Sequence, residues 1–229
     1  MVTLWPFMAS ILHYRVLLMT NHGVKTSTDD APGRWSWWLG ALMVLWVMGA
    51  VGGLWIVWAY ENGPGAAAEV TDRWPAGTSL QPATDRPTLV LLAHPQCTCT
   101  RASLGELAEA LARARVRPKT YVVFLKPSSF EDGWEKTGLW ETASALPDTT
   151  VVRDDDGLEA IRFGAATSGQ TMLYDARGTL LFSGGITGAR AHAGNNAGRS
   201  AVVELLNHRQ ADQTLTNVFG CALFAADRP

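Results

Sequence analysis

The chain has 229 residues, of which 47% are hydrophobic, and its 19 lysine and arginine residues nearly balance 21 aspartate and glutamate residues. A formal net charge of −2 with no block of basic residues excludes a surface that binds nucleic acid through its phosphates. Three cysteines in a chain of this length exclude a small domain that is held together by disulfides. The length allows one well-buried domain and one further segment.

An apolar stretch near the start is long enough to cross a membrane. Residues 35–60 carry no charged side chain, and at ~1.5 Å per residue a helix of this length exceeds the roughly 30 Å hydrocarbon core of a bilayer. Tryptophan residues cluster at both of its ends, as expected of rings that lie at membrane interfaces. We therefore predict one transmembrane helix. The alternative is a cleaved secretory signal with its cleavage site at Ala66 to Ala68.

Basic residues indicate the orientation of this helix. Residues 1–34 contain three lysine or arginine residues, whereas Arg73 is the first one after the helix. Because basic residues favour the cytoplasmic side, we expect residues 1–34 to be a short cytoplasmic segment, with a translation start at Met1 or Met19. The larger, C-terminal part of the chain then lies outside the cytoplasm.

The composition changes after the apolar stretch. Residues 61–86 are rich in glycine, proline, alanine and threonine and show no hydrophobic periodicity, which predicts a flexible linker. Residues 87–229 contain the hydrophobic patterns of a folded domain. This domain begins with the apolar run TLVLLAH, which is typical of a strand that is buried on both faces.

The next residues predict a strand–helix–strand unit. Four apolar residues between Leu104 and Leu111 recur at i, i+3, i+4 and i+7, so one helical stripe faces a core. Pro118 prevents the helix from continuing. The segment KTYVVFLKP that follows has the pattern of a second buried strand, which completes a βαβ unit.

The rest of the domain predicts further strands and helices. An insertion, SSFEDGWEKTGLWETASALP, is expected to be mostly helical, and TTVVRD and DDGLEAIRFGA to be a third strand and a short helix. The segment QTMLYDARGTLLFSGGI predicts a hairpin with its turn at Asp175 to Gly178, and SAVVELLNHR predicts the last helix. This order of elements on one sheet predicts a three-layer α/β domain.

Two of the three cysteines lie in the stretch HPQCTCTRAS, between the first strand and the first helix of the domain. The N-terminus of a helix stabilises anions and lowers the pKa of a thiol that lies there. Residues two apart are roughly 200° apart around a helix, so Cys97 must lie in the turn before the helix that contains Cys99. The pair either closes a strained, labile disulfide, stays open to a substrate, or consists of two buried thiols.

Three other residues add alternatives for this site. His94 is either a strand-end histidine that is hydrogen-bonded to the backbone, or a base or charge partner that lowers the pKa of Cys97. Arg101 either adds positive potential near a thiolate or is a solvated side chain. Cys221 is either a buried thiol of the tail or a resolving thiol for Cys97. Together with Cys97, Cys99 and His94 it would also provide ligands for copper(I) or zinc.

Four stretches, HPQCTCTRASL, FGAATSGQTMLYD, LLFSGGITGARAHAGNNAGR and VFGCALF, resemble the thioredoxin-like superfamily and, within it, the membrane-anchored bacterial proteins labelled RedB. The resemblance implies that residues 87–229 form a thioredoxin-like fold with a central mixed sheet. By position, Cys97 matches the attacking cysteine of such proteins. Cys99 falls at the resolving cysteine but one residue early.

The resemblance also implies a substrate-binding loop. Gly169, Gln170 and Thr171 stand where the superfamily has a cis-proline followed by threonine. Gln170 replaces that proline, and a cis bond before a residue other than proline costs ~3 kcal/mol. We therefore expect a trans bond between Gly169 and Gln170.

What the resemblance implies for function is a thiol-disulfide oxidoreductase with a CxC motif, in which Cys97 attacks and Cys99 resolves. Such a protein needs no cofactor, and its substrate is a protein or small-molecule thiol or disulfide. We expect it in the bacterial inner membrane, crossing once, with the N-terminus in the cytoplasm and the C-terminal domain in the periplasm. The alternatives are a copper-binding module with the same fold and a peroxiredoxin-like peroxidase that uses Cys97.

Overall fold

The computed structural model of the protein describes residues 34–67 and 69–224. The expected cytoplasmic segment, residues 1–34, lies outside the described residues apart from Arg34, and so do both candidate translation starts. Helix α1 spans Arg34–Asn62, slightly longer at both ends than the predicted transmembrane helix. Among the described helices it is the one that is long and apolar enough to cross a membrane. Its orientation stays a prediction.

The chain divides into two compact units, Met1–Ala50 and Val51–Pro229. The boundary therefore falls within α1, and the described part of the first unit is the N-terminal half of that helix. The second unit contains the last turns of α1 and every described strand.

A five-stranded sheet with the order β3-β2-β1-β4-β5 forms the centre of the second unit. β1, β2 and β3 are parallel, whereas β4 runs antiparallel to both of its neighbours, β1 and β5. Every residue of β1 is buried, as its continuous apolar run predicts. The strands are β1 Thr88–Ala93, β2 Lys119–Lys126, β3 Thr149–Asp155, β4 Gln170–Tyr174 and β5 Leu180–Gly185.

Helices and one extended segment cover the two faces of this sheet, which confirms the predicted three layers. On one face the apolar stripe of α2, including Leu104 and Leu107, shares a core cluster with Phe124 of β2. The other face packs against Phe163 and Ala160, which belong to or follow α4. The helices are α2 Thr98–Arg113, α3 Gly138–Ser144, α4 Leu158–Arg162 and α5 Ala197–Leu206.

The insertion between β2 and β3 contains less helix than its sequence predicts. Only α3, Gly138–Ser144, is an α-helix, and the residues before it form turns. Gly133 has a φ of +89°, which no helical residue adopts, so the chain reverses direction there. Thr137 then caps α3, because its side chain accepts a hydrogen bond from the Leu139 N–H.

Part of the predicted flexible linker, residues 61–86, packs against the domain. Trp74 meets Phe163 and Tyr174 edge-on, with ring centroids 5.2 and 5.0 Å away, and Leu80 is buried. The only helix on this face, among the described residues, is α4, which is five residues long. The apolar side chains of the linker segment therefore complete the cover of the sheet, and the expectation of a freely flexible linker is corrected for this part.

Candidate active site

Cys97 precedes the first residue of α2, and its extended backbone (φ −102°, ψ 127°) places it in the turn before the helix. The Cys97 N–H donates to the His94 carbonyl at 3.3 Å, and the Thr100 N–H donates to the Cys97 carbonyl at 3.1 Å. Cys99 lies in the first turn of α2. The expected separation of the two cysteines, one before the helix and one within it, is confirmed.

The third cysteine contacts the first. The Sγ atoms of Cys97 and Cys221 lie 2.6 Å apart, although the two residues are 124 positions apart in the chain. The tail around Cys221 runs antiparallel to the loop before β4: the Ser168 N–H donates to the Cys221 carbonyl at 2.8 Å, and the Leu223 N–H donates to the Ala166 carbonyl at 2.9 Å. These two hydrogen bonds hold Cys221 over the start of α2.

The three thiols, all free, have different environments. Cys97 and Cys99 are 3% and 4% exposed, whereas Cys221 is half-buried. Burial acts to raise the pKa of Cys97, but hydrogen bonds from the Cys221 thiol and the Thr100 N–H outweigh it, so the pKa is lowered. Burial, followed by the neighbouring Cys97, raises the pKa of Cys99. Burial and the hydrogen bond to Cys97 raise the pKa of Cys221 to about 12.

Cys99 and Cys221 line a pocket of about 390 Å³ in the second unit. Part of its wall comes from the last two turns of α1. Cys97 is not among the lining residues, although its Sγ contacts that of Cys221. The lining also includes Ile56, Val57, Tyr60, Glu61, Thr98 and Arg190.

Arg190 is the cation of this pocket that sequence reasoning missed. Its backbone N–H donates to the Glu61 carbonyl at 3.0 Å, its Nε donates to the Tyr60 carbonyl at 3.1 Å, and its guanidinium lies 5.0 Å from the Tyr60 ring centre. Nη1 donates to the Gly220 carbonyl, next to Cys221. The one sequence feature that could have indicated Arg190 is that it is the single arginine in the segment TGARAHAGNNAG, which has no apolar pattern.

A buried carboxylate holds the loop that carries Arg190. Glu106 of α2, 3% exposed, accepts hydrogen bonds from the Gly194 N–H at 2.7 Å and from the Asn196 side chain at 3.1 Å. It also forms an ion pair with Arg199 of α5 at 2.5 Å. Removing one partner of such a buried pair leaves an uncompensated charge, which is strongly destabilising. The loop is therefore fixed to the helix that begins at the two cysteines.

His94 and Arg101 lie in surroundings that suit the strand-end and solvated alternatives. The His94 Nδ1 accepts a hydrogen bond from the Gln96 N–H at 3.2 Å, and its ring packs edge-on against Trp134 at 5.5 Å. Burial lowers the pKa of His94, which favours the neutral ring at neutral pH. Arg101 is exposed on α2. The strand-end and solvated interpretations fit these two residues.

The alternative metal site is not formed. Within residues 34–67 and 69–224, no group of three His, Cys, Asp or Glu side chains is placed to hold a metal ion. The structure does bring Cys97, Cys99 and Cys221 together. The fourth expected ligand, His94, directs one ring nitrogen to the backbone instead.

The expected substrate-binding residues lie inside the domain. The described chain contains no cis peptide bond, so the bond between Gly169 and Gln170 is trans, as expected. The Gln170 side chain donates to the Ser183 hydroxyl at 2.8 Å, and the Thr171 hydroxyl donates to the Gly169 carbonyl at 3.2 Å. Both side chains are buried. The neighbouring backbone at Ser168 is already paired with the tail, and a substrate-binding role for these residues stays a prediction.

The architecture defines a thioredoxin-like fold. The strand order β3-β2-β1-β4-β5, the antiparallel β4 and a helix that follows β1 after a short turn with Cys97 at its end are its distinguishing features. The fold that the sequence resemblance implies is thereby confirmed. No protein-family model matches the chain, and a search of curated proteins gave no match.

Solved structures show the same fold. A hypothetical protein from Sinorhizobium meliloti is 18% identical, with a TM-score of 0.50 over 69% of this chain and 97% of that one. An uncharacterized conserved protein from Geobacillus kaustophilus is 13% identical, with a TM-score of 0.51 over 72% of this chain and 100% of that one. A secreted Mycobacterium tuberculosis disulfide oxidoreductase is 17% identical, with a TM-score of 0.38 over 52% of this chain and 80% of that one. At these identities the first two structures show similarity of fold alone. The TM-score of the third structure is too low to support a conclusion.

Proposed function

We propose that the protein is a membrane-anchored thiol-disulfide oxidoreductase of the RedB type in which Cys97 and Cys221 form the redox pair. The observation that carries the proposal is the 2.6 Å separation of their Sγ atoms. A disulfide bond of ~2.05 Å needs only a small further approach. In this proposal Cys97 keeps the attacking role that the CxC motif predicts, and Cys221 takes the place of Cys99 as its partner thiol.

The pKa values of the pair support a division of roles. Hydrogen bonds to Cys97 lower its pKa despite burial, so it carries the thiolate at a lower pH than its two neighbours. Thiol-disulfide exchange requires a thiolate and proceeds faster when the leaving thiol has a low pKa. When the pair closes, two electrons and two protons pass to a substrate disulfide, and the reverse reaction oxidises two substrate thiols.

Disulfide mapping on the purified full-length protein tests the proposal. After oxidation with diamide and alkylation, peptide mass spectrometry is expected to show a Cys97–Cys221 disulfide and an alkylated Cys99. The Cys99→Ser variant is the matched control and should form the same bond, whereas Cys221→Ser should not. A Cys97–Cys99 bond, or three alkylated thiols in the folded oxidised protein, would contradict the proposed pair.

A further inference from the structure

We propose that a substrate thiol reacts with the oxidised pair at the Cys221 Sγ, inside the pocket that α1 partly lines. The substrate is an amphipathic thiol with an apolar body, and it reaches the pocket from the bilayer surface. The inference rests on the proposed function and adds the substrate-facing sulfur and the substrate class. Of the two paired cysteines, Cys221 lines the pocket and is half-buried, whereas Cys97 is 3% exposed and is not among the lining residues.

The chemistry of exchange agrees with this placement. A substrate thiolate attacks the Cys221 Sγ of the oxidised pair, the Cys97–Cys221 bond breaks, and Cys97 leaves as a thiolate. Departure from this side is favoured because the backbone hydrogen bonds from Thr100, Cys221 and Cys99, which act to lower the Cys97 pKa, remain while Cys221 carries the substrate, and a thiol of lower pKa leaves faster. A second substrate thiolate then attacks the bound substrate sulfur, which forms the substrate disulfide and releases Cys221. The pair gains two electrons, and exchange with a second disulfide reoxidises it.

The wall of the pocket indicates an apolar substrate body. Ile56, Val57 and Tyr60 contribute to the lining from the last turns of α1. The same turns carry Trp55 and Trp58, the kind of aromatic residues that lie at a membrane interface. A pocket of about 390 Å³ falls in the range of sites for small molecules, roughly 300–1,000 Å³.

The same pocket also has polar lining residues. Arg190 and Glu61 bring one positive and one negative side chain, and Thr98 brings a hydroxyl. Arg190 uses donors on the Tyr60 and Gly220 carbonyls, which fixes its position beside Cys221. An apolar wall with a small number of fixed polar groups suits an amphipathic molecule, whose polar end they orient.

The first experiment identifies the sulfur that meets the substrate. Oxidised full-length protein in lipid nanodiscs is partly reduced with hexane-1-thiol and quenched with N-ethylmaleimide, and the modified peptides are mapped by mass spectrometry. We expect the hexyl group on Cys221 and maleimide on Cys97. A hexyl group on Cys97 with maleimide on Cys221, or a hexyl group on Cys99, would overturn the assignment.

The second experiment tests the substrate class with two thiols that differ only at the far end, hexane-1-thiol and 6-mercaptohexan-1-ol. Val57→Asn places an amide in the pocket wall, and we expect it to slow reduction by hexane-1-thiol about tenfold while 6-mercaptohexan-1-ol is little affected. Leu54→Asn is the matched control, because Leu54 is exposed on α1 and outside the pocket lining. It should change neither rate.

The outcomes separate this inference from the proposed function. If Val57→Asn slows neither thiol, or slows both equally, the pocket does not select an apolar body and the inference fails while the redox pair stands. If the wild-type protein forms no Cys97–Cys221 bond on oxidation, the proposed function fails before the pocket is tested.

Discussion

At the scale of single residues, Cys97 is the one of the three thiols whose pKa is lowered. Burial opposes ionisation of each, but Cys97 receives hydrogen bonds from Cys221 and the Thr100 N–H that lower its pKa. We expect the reduced protein to form one thiolate at a lower pH than an ordinary cysteine does. A thiol whose pKa is lower in the folded chain stabilises the fold above its unfolded pKa, and this contribution is lost as the pH falls through the folded pKa.

Ultraviolet absorbance of the thiolate during a pH titration measures this ionisation. The Cys97→Ser variant should lose the low-pH titration, whereas Cys99→Ser should keep it, because neither hydrogen-bond donor to Cys97 is removed. If Cys97→Ser keeps the titration and Cys221→Ser loses it, the charge lies on the other member of the pair and the assigned roles are reversed.

Also at the residue scale, Arg190 and Arg101 form a matched pair of arginines near the cysteines. Arg190 lines the pocket with Cys221, whereas Arg101 is exposed on α2. A cation near the attacked sulfur attracts the incoming thiolate, so Arg190→Met should slow reduction of the oxidised protein about fivefold. Arg190→Lys should recover part of that rate, and Arg101→Met should leave it unchanged. If Arg190→Met and Arg101→Met slow the reaction equally, Arg101 also supplies positive potential near the thiolate, and the specific role of Arg190 is contradicted.

At the scale of elements, the tail is the component that brings Cys221 to Cys97. Gly220 allows the close approach, because a Cβ at this position would lie 1.8 Å from the Ser168 carbonyl oxygen. Gly220→Ala must therefore push the tail away from the loop before β4. We expect a lower yield of the Cys97–Cys221 disulfide and a loss of about 1–3 kcal/mol in the free energy of unfolding.

Gly105→Ala provides the control for this substitution. Gly105 lies within α2, and a Cβ there meets nothing within 4 Å. The same chemical change should leave the disulfide yield unaltered and raise the free energy of unfolding by about 0.5–1 kcal/mol, since alanine is the better helix former. Urea denaturation and disulfide mapping measure both effects. An unchanged disulfide yield in Gly220→Ala would show that the tail pairing does not position Cys221.

At the scale of the whole molecule, local patterns predicted the elements, whereas contacts between distant segments were not predictable. The stripe from Leu104 to Leu111 and the turn signature at Asp175 to Gly178 are local signals, and the structure has α2 and the β4–β5 hairpin there. The contact of Cys97 with Cys221 depends on the pairing of the tail with the loop before β4, and no hydrophobic periodicity in the sequence predicts that pairing. Trp74 likewise packs through tertiary contacts and not through a local pattern.

The orientation of the protein in the membrane concerns the whole chain, and we predict it from the distribution of basic residues on the two sides of α1. Three lysine or arginine residues lie in residues 1–34, and Arg73 is the first after the apolar helix, so the C-terminal domain is expected outside the cytoplasm. Alkaline phosphatase fused after Pro229 should be active, and a reporter that needs the cytoplasm should not. The active fusion should stay in the membrane pellet after a carbonate wash, because α1 holds it there. Release into the soluble periplasm would show instead that the helix is a cleaved signal, and cytoplasmic activity would reverse the orientation and remove the oxidising compartment in which such a redox pair works.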